Sequence, residues 1–136
     1  MILITGGKYQ GKLRRALEIG RYSEDDYFDF GKINSTEYVN SGINYANKKI
    51  WYNIQEYIRV LAYQGTEPSQ IENMIKKIVE KHAPEILIIS EVGSGVIPLS
   101  KEDNDFRDAT GRLSCYFADN ADEVYRVLCG MKIQLK

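Results

Sequence analysis

A glycine-rich segment after the first apolar run constrains the fold of this chain most. The apolar residues Ile2 to Ile4 precede Thr5-Gly6-Gly7-Lys8-Tyr9-Gln10-Gly11-Lys12. The G-x-x-x-x-G-K spacing between a strand and a helix is that of a phosphate-binding P-loop. Its glycines let backbone N–H groups converge on phosphate oxygens, and its lysine adds a positive charge. The residues predicted to bind nucleotide phosphates are Gly6, Gly7, Lys8, Tyr9, Gln10, Gly11, Lys12 and Leu13.

The position after Lys12 departs from this pattern. Leu13 stands where a serine or threonine would offer magnesium a hydroxyl ligand. Binding of ATP or GTP is therefore the favoured interpretation, whereas metal-assisted phosphoryl transfer needs separate evidence. Magnesium binds largely through phosphates and water, so it remains compatible with this loop although its usual hydroxyl is absent. A glycine-rich turn that binds nothing is the alternative, and we expect no metal held by the protein itself.

Length and composition limit the class of protein. The 136 residues suit one domain, 1–136, which we expect to be a single P-loop nucleotide-binding-like domain. A net charge of -1 gives no electrostatic case for a nucleic-acid partner. The first apolar run is too short for a membrane span or signal peptide, so the cytoplasm is the expected location. Cys115 and Cys129 lack a C-x-x-C arrangement, and we predict buried free thiols.

Strand and helix patterns alternate along the chain. The run Ile86-Leu87-Ile88-Ile89 is continuously apolar, as expected for a strand covered on both sides in a parallel sheet. In 45–64, Ile50, Trp51, Ile54, Ile58 and Leu61 recur at helical spacing, which predicts one helix with Trp51 in the core or a subunit interface. The other predicted helices are 12–19, ending at Gly20, 66–82 and 105–118, the other strands are 2–4, 26–30, 123–128 and 132–135, and 32–44 is a loop.

This alternation predicts the fold class, an α/β, three-layer P-loop-type fold with a mainly parallel sheet. In such folds ligands bind beyond the carboxyl ends of the strands. Glu91, two residues after 86–89, is therefore a candidate catalytic residue together with Lys12. It has two interpretations: it orients a metal-bound water or accepts the proton of a substrate hydroxyl, or it caps the following turn at 92–95.

Three ordered blocks resemble a known family. They are similar to the N-E-V-G-x-G-I-V-P, F-R-D-x-x-G-R and A-D-E-V-Y patterns of the bifunctional adenosylcobinamide kinase and adenosylcobinamide-phosphate guanylyltransferase. In this chain they read SEVGSGVIP at 90–98, FRDATGRL at 106–113 and ADEVY at 121–125, before a terminal segment at 130–136. Together with the N-terminal glycine-rich loop, the resemblance covers about the first twenty and the last fifty residues.

The resemblance implies a P-loop enzyme, commonly trimeric, that assembles the nucleotide loop of cobalamin. Members phosphorylate the aminopropanol hydroxyl of adenosylcobinamide with a nucleoside triphosphate, then transfer GMP from GTP through a guanylylated histidine. The implied partners are a nucleotide, adenosylcobinamide and further copies of the chain. Arg107 and Asp108, in the second block, are candidate contacts to a ligand or to a neighbouring subunit.

The middle of the chain departs from the family. The segment R-I-x-x-H, with the guanylylated histidine, is missing, and the chain's one histidine, His82, is predicted to end a helix near its dipole. The family's strand ending in D-C-L-T-L-W is also not recognisable: 50–53 echoes its tail, with Ala46 then at the acidic position. We therefore predict a shortened, divergent member that has lost guanylyl transfer and has weakened kinase activity. The alternative is a catalytically silent nucleotide-binding or interaction module.

Overall fold

The apolar strand at the start of the chain lies inside a six-stranded sheet. The structure is a computed structural model that describes residues 1–33, 45–93 and 97–136. Its strands are β1 (Ile2–Thr5), β2 (Tyr27–Asp29), β3 (Ile50–Tyr52), β4 (Ile86–Ile88), β5 (Glu123–Leu128) and β6 (Met131–Gln134). Its α-helices are α1 (Lys12–Gly20), α2 (Ile54–Tyr63), α3 (Pro68–His82) and α4 (Lys101–Asn120).

The sheet is parallel except at one edge. Its order is β2-β3-β4-β1-β5-β6, and only β6 pairs antiparallel, with β5. The carboxyl ends of the five parallel strands therefore meet at one edge of the sheet. The predicted α/β fold with a mainly parallel sheet is confirmed.

Helices cover both faces of the sheet, because successive side chains of a buried strand point to opposite faces. In β1, Leu3 belongs to the core formed with α2, α3 and α4, whereas Ile4 belongs to the core formed with α1. The inward positions predicted on α4 are buried as expected: Phe106, Ala109, Leu113 and Phe117. Within the described residues, the result is a three-layer arrangement with α2, α3 and α4 on one face of the sheet and α1 on the other.

The single helix predicted over 45–64 is wrong in its first part. Ile50–Tyr52 form β3, which pairs with β2 on one side and β4 on the other. Asn53 has a left-handed backbone with φ 61°, which separates this strand from α2. Branched and aromatic residues favour a strand, but the decisive factor is the pair of neighbouring strands that takes up the backbone groups of β3. Trp51 is fully buried, which confirms the predicted core position.

Smaller predictions differ at their ends. Helix α1 includes Gly20, and the left-handed residue that stops it is Arg21, at φ 54°. Both cysteines are free, but they are exposed rather than buried. Cys115 lies on the outer face of α4, and Cys129 lies in the turn between β5 and β6. Of the predicted loop at 32–44, the part from 34 to 44 lies outside the described residues.

The turn between β5 and β6 has two residues with positive φ. Cys129 has φ 50° and Gly130 has φ 74°, which are the signs that a type I′ hairpin turn requires. Asparagine is preferred at the first of these positions, because it tolerates the left-handed region better than other side chains.

We expect Cys129→Asn to stabilise the protein by about 0.5–1 kcal/mol, because it relieves backbone strain in this turn. Thermal unfolding should then move upward by roughly 2–4 °C for a domain of this size. Cys129→Ala is the control, since it removes the thiol without providing a residue suited to positive φ. Equal melting temperatures for the two variants would contradict this assignment of the turn.

Candidate functional site

The loop between β1 and α1 depends on glycine at its entrance. Gly6 has φ 136°, and a Cβ atom there would lie 2.4 Å from the carbonyl oxygen of Val127 on β5. This distance is too short for any real side chain, so only glycine lets the loop leave β1 beside β5. Gly11, at φ 89°, then turns the chain into the first residue of α1. Both predicted glycines therefore shape the loop through backbone conformation.

The loop has one-sided hydrogen bonding, in the sense that its carbonyl groups accept hydrogen bonds whereas most of its N–H groups donate none within the described part of the chain. Its carbonyl groups accept: Gly6 from the N–H of Glu91 at 3.1 Å, Gln10 from Gly130 at 3.0 Å, and Gly11 from Arg15 at 3.2 Å. Among the described residues, no acceptor bonds the backbone N–H groups of Gly7, Lys8, Tyr9, Gly11, Lys12 and Leu13. Unpaired N–H groups at the start of a helix form a binding site for an anion. The loop therefore keeps its donors available for a ligand.

Lys12 lies inside this loop. Its side chain is only 3% exposed, and its Nζ donates a hydrogen bond to the carbonyl oxygen of Gly7 at 2.5 Å. Burial lowers the pKa of Lys12, while the negative charge of Glu91 acts in the opposite direction. An anionic ligand would also favour the charged form of this lysine.

The β5–β6 turn holds the far side of the loop. The side-chain oxygen of Gln10 accepts a hydrogen bond from the N–H of Cys129 at 2.6 Å, and the Gln10 carbonyl accepts from Gly130. Arg15 on α1 donates to the Gly130 carbonyl at 2.7 Å. Gln10 is therefore part of the loop and also attaches it to the β5–β6 turn.

Glu91 lies beside the loop, but its carboxylate has a protein partner. Its two oxygens accept hydrogen bonds from Nε and Nη2 of Arg126 on β5, at 2.7 and 2.9 Å. Sequence reasoning did not anticipate this pair, because Arg126 is 35 positions away and meets Glu91 only through the parallel sheet. The predicted cap of the turn at 92–95 involves residues 94 and 95, which lie outside the described residues.

A pocket of about 320 Å³ opens at the carboxyl edge of the sheet, next to the loop. Its lining includes three residues of the predicted loop and seven others: Lys8, Tyr9, Lys12, Asp29, Gly31, Tyr52, Asn53, Gln55, Glu56 and Ser90. Sequence reasoning missed Asp29 and Ser90 as site residues. Ser90 directly follows the predicted strand 86–89, so the rule that ligands bind beyond the carboxyl ends of strands would have found it. Asp29 was missed because the predicted strand 26–30 extended past it, whereas β2 ends at Asp29. Asn53 and Gln55 were hidden because 45–64 was interpreted as one helix.

Other predicted positions lie in different places. Lys8 and Tyr9 are exposed, and both line the pocket. Arg107 is not in this pocket: its Nη2 donates to the Gly93 carbonyl at 2.6 Å. Asp108 pairs with Arg112 one turn further along α4, at 3.1 Å. The structure therefore does not bring Arg107 and Asp108 to the loop.

His82 is remote from the pocket. It ends α3 four residues before β4 begins, which puts it near the amino edge of the sheet, opposite the carboxyl edge. Its ring lies 5.3 Å from the ring of Tyr45 and 5.9 Å from that of Trp51. Burial, with a smaller contribution from Lys81, lowers the pKa of His82. The contacts are those of a residue packed against the core.

The side chains next to the loop offer few ligands for magnesium. Leu13 has no donor atom, Glu91 is occupied by Arg126, and the carboxylates on the pocket wall belong to Asp29 and Glu56. Across residues 1–33, 45–93 and 97–136, no group of three or more His, Cys, Asp or Glu side chains is arranged to hold a metal. Magnesium next to the loop would therefore be bound largely through nucleotide phosphates and water.

Comparison with known proteins identifies the family of this chain. The model of one protein family, described as cobinamide kinase / cobinamide phosphate guanyltransferase, matches residues 43–135. The chain belongs to this family. It is a divergent member, and the matched region contains Glu91, Asn53 and Gln55, whereas the loop at 6–13 precedes it.

Two curated relatives are similar over about half of the chain. The bifunctional adenosylcobalamin biosynthesis protein CobU of Escherichia coli (strain K12) is 32% identical over 77 residues, 54% of this chain and 42% of the relative. The protein of the same name from Salmonella typhimurium (strain LT2) is 33% identical over 67 residues, 49% of this chain and 37% of the relative. The matched part of the chain thus spans about two fifths of either relative. In the part of the chain that the structure describes, no helix is long and apolar enough to cross a membrane.

The charge of Glu91 next to Lys12 gives a testable electrostatic prediction. Replacing Glu91 by Gln removes the negative charge that offsets burial, so the pKa of Lys12 should fall further. An NMR titration of the Lys12 side chain would measure this change. Glu85→Gln is a matched control, because Glu85 precedes β4 at the opposite edge of the sheet. An unchanged or raised pKa in Glu91→Gln would show that the two charges do not interact.

Proposed function

We propose that this chain binds a nucleoside triphosphate at the loop of residues 6–13 and acts as a divergent cobinamide-type phosphotransferase. The supporting observation is the one-sided hydrogen bonding of the loop. Its carbonyl groups are bound by neighbouring elements, while the N–H groups of Gly7, Lys8, Gly11 and Lys12 have no acceptor among the described residues. Donors left unpaired and close to a lysine favour a phosphate chain as the ligand.

The phosphotransfer proposal uses this chain's own donors. Lys12 and the loop amides would hold the triphosphate and neutralise the charge that develops on the transferred group. The chain offers no hydroxyl at position 13, so the protein contributes less to cation binding than the P-loop pattern provides. We therefore propose that the kinase activity is weakened, with ATP or GTP as the donor and adenosylcobinamide as the acceptor.

The guanylyl transfer step is proposed to be lost. That reaction needs a histidine nucleophile, and His82 is the chain's one histidine. Its ring packs against the rings of Tyr45 and Trp51, near the amino edge of the sheet, whereas the loop lies at the carboxyl edge. A nucleophile must come within about 3–3.5 Å of the reacting phosphorus. His82 therefore lacks the position for this role.

A silent binding module of the same fold is the second candidate. It is favoured by the pairing of Glu91 with Arg126, which occupies both oxygens of the carboxylate predicted to act in catalysis. Such a module would keep the phosphate site and the single domain of residues 1–136 without turnover. Exposed apolar side chains at the outer edge, Met131, Ile133 and Leu135, support association with further copies of the chain in either case.

Calorimetric titration with ATP and GTP, with and without magnesium, tests the binding site. We expect nucleotide binding that Lys12→Ala weakens by roughly 10- to 100-fold, because a hydrogen bond to a charged group is lost. Lys77→Ala is the control, since Lys77 is an exposed lysine of α3 outside the pocket lining. If neither nucleotide binds, or if both variants behave alike, the loop does not have the proposed role.

The same titration tests the missing hydroxyl. Leu13→Ser should tighten binding of the magnesium nucleotide by about three- to tenfold and leave metal-free binding nearly unchanged. Leu13→Ala separates the new hydroxyl from the loss of the apolar side chain. Equal effects of both substitutions would argue against a cation at this position.

Incubation with radiolabelled GTP tests the proposed loss of guanylyl transfer. We expect no covalent protein adduct after denaturation, because the chain provides no histidine beside the loop. The His82→Ala variant serves as the background control. A stable label on the wild-type protein that is missing from His82→Ala would restore the histidine mechanism.

A further inference from the structure

A hydrogen-bond network of three side chains, Asp29, Asn53 and Gln55, connects the ends of three neighbouring strands at the pocket. The N–H of Ser90, after β4, donates to Oε1 of Gln55 at 3.0 Å. Nε2 of Gln55 donates to Oδ1 of Asn53 at 3.1 Å, and Nδ2 of Asn53 donates to Oδ1 of Asp29 at 3.0 Å. Asp29 is the last residue of β2. No residue of the loop at 6–13 takes part in this hydrogen-bond network.

The donor and acceptor of each hydrogen bond in this network are determined by the groups at its two ends. The backbone N–H of Ser90 can only donate, so Gln55 must present its oxygen there and its NH₂ group to Asn53. Asn53 then presents its oxygen to Gln55 and its NH₂ group to Asp29. An ionised carboxylate can only accept, which matches the last bond. Gln55 is 1% exposed, so water does not compete for these bonds.

The hydrogen-bond network uses only one of the two carboxylate oxygens of Asp29. Oδ1 accepts from Asn53 and from the N–H of Gly31 at 2.8 Å. Within the described residues, Oδ2 accepts no hydrogen bond, and no lysine or arginine pairs with Asp29. The carboxylate is half-buried and lines the pocket that Lys12 also lines. A fixed, ionised oxygen without a protein partner is suited to accept a hydrogen bond from a ligand.

The sheet order determines which part of a ligand Asp29 can reach. β2 is separated from β1 by β3 and β4, which is roughly 14 Å at the usual strand spacing. Asp29 therefore lines the pocket from the β2 side of the sheet, whereas Lys12 lines it from the loop that follows β1. The pocket, at about 320 Å³, has room there for a small arm of a substrate and not for a macrocycle.

We propose that Asp29 binds the hydroxyl group that receives the phosphoryl group, and that Gln55 and Asn53 are positioning residues for it. This inference rests on the proposed nucleotide-binding function of the loop. Oδ2 accepts the hydroxyl hydrogen bond and takes the proton as the hydroxyl oxygen bonds to the γ-phosphorus. The bond from that phosphorus to the β,γ-bridging oxygen breaks, and the nucleoside diphosphate leaves. Asp29 then returns the proton to water.

The test compares two probes in the presence of a non-hydrolysable ATP analogue: adenosylcobinamide and its O-methyl ether at the aminopropanol hydroxyl. The wild-type protein should bind the free hydroxyl about tenfold or more tightly than the ether, because the ether cannot donate to a charged acceptor. Asp29→Asn should remove this preference. Asp25→Asn is the matched control, since Asp25 is an exposed aspartate outside the pocket lining.

The positioning role is tested by Gln55→Met, which keeps the volume of the side chain and removes its hydrogen bonds. The Asn53 amide then has no fixed orientation, so the preference for the hydroxyl probe should fall while affinity for the ATP analogue stays within about twofold. A purely structural role would weaken both probes equally and leave their ratio unchanged. That unchanged ratio would refute the positioning role.

The outcomes separate this inference from the proposed function. Loss of nucleotide binding in Lys12→Ala concerns the loop alone. The Asp29 assignment is overturned if the wild-type protein does not distinguish the two probes, if it binds neither, or if Asp29→Asn keeps the preference. It is also overturned if Asp29→Asn weakens binding of the magnesium nucleotide but not of metal-free nucleotide, because Asp29 would then act on the cation.

Discussion

The candidate site depends on the unequal use of the two kinds of backbone groups in the loop at 6–13. Neighbouring elements bind its carbonyl groups, whereas most of its amide groups have no acceptor in the part of the chain that the structure describes. Glu91 after β4 and Gly130 after β5 act as donors to these carbonyls, so the loop is held from both sides of β1. This arrangement requires Gly6, because any side chain there would collide with Val127. Without that close approach the loop could not lie over the end of the sheet.

The region that matches the family supports a loop that precedes it in the chain. Residues 43–135 include Glu91, Arg126 and the β5–β6 turn, all of which contact the loop or its immediate neighbours. The Glu91–Arg126 pair joins β4 to β5 across the end of β1, next to Gly6. Motifs that are distant in sequence thus act on one edge of the sheet. Family membership and the phosphate-binding pattern are separate observations that meet in the same pocket.

Much of the fold follows from local patterns. The apolar run of β4, the proline at the start of α3 and the periodic apolar residues of α4 each contain enough information to predict their elements. The interpretation of 45–64 failed because three residues of β3 are too few to show a strand period, and their apolar positions continue the stripe of α2. Their pairing with β2 and β4 is a long-range effect that no short window contains. The prediction that both cysteines are buried was wrong for a related reason. Exposure depends on which face of a helix or turn packs against the rest of the protein, and a local pattern does not contain this information.

The glycine-rich spacing by itself predicted the strand, loop and helix of residues 2–20, because backbone conformation at glycine is a local property. The sequence also determined that position 13 has no hydroxyl and that the chain has one histidine, His82. Only the tertiary structure decided which side chains face that loop. Asp29, Asn53, Gln55 and Ser90 come from separate segments, and parallel pairing brings the carboxyl ends of β2, β3 and β4 to one edge. Their hydrogen-bond directions depend on each other in space, which is why the sequence alone could not predict them.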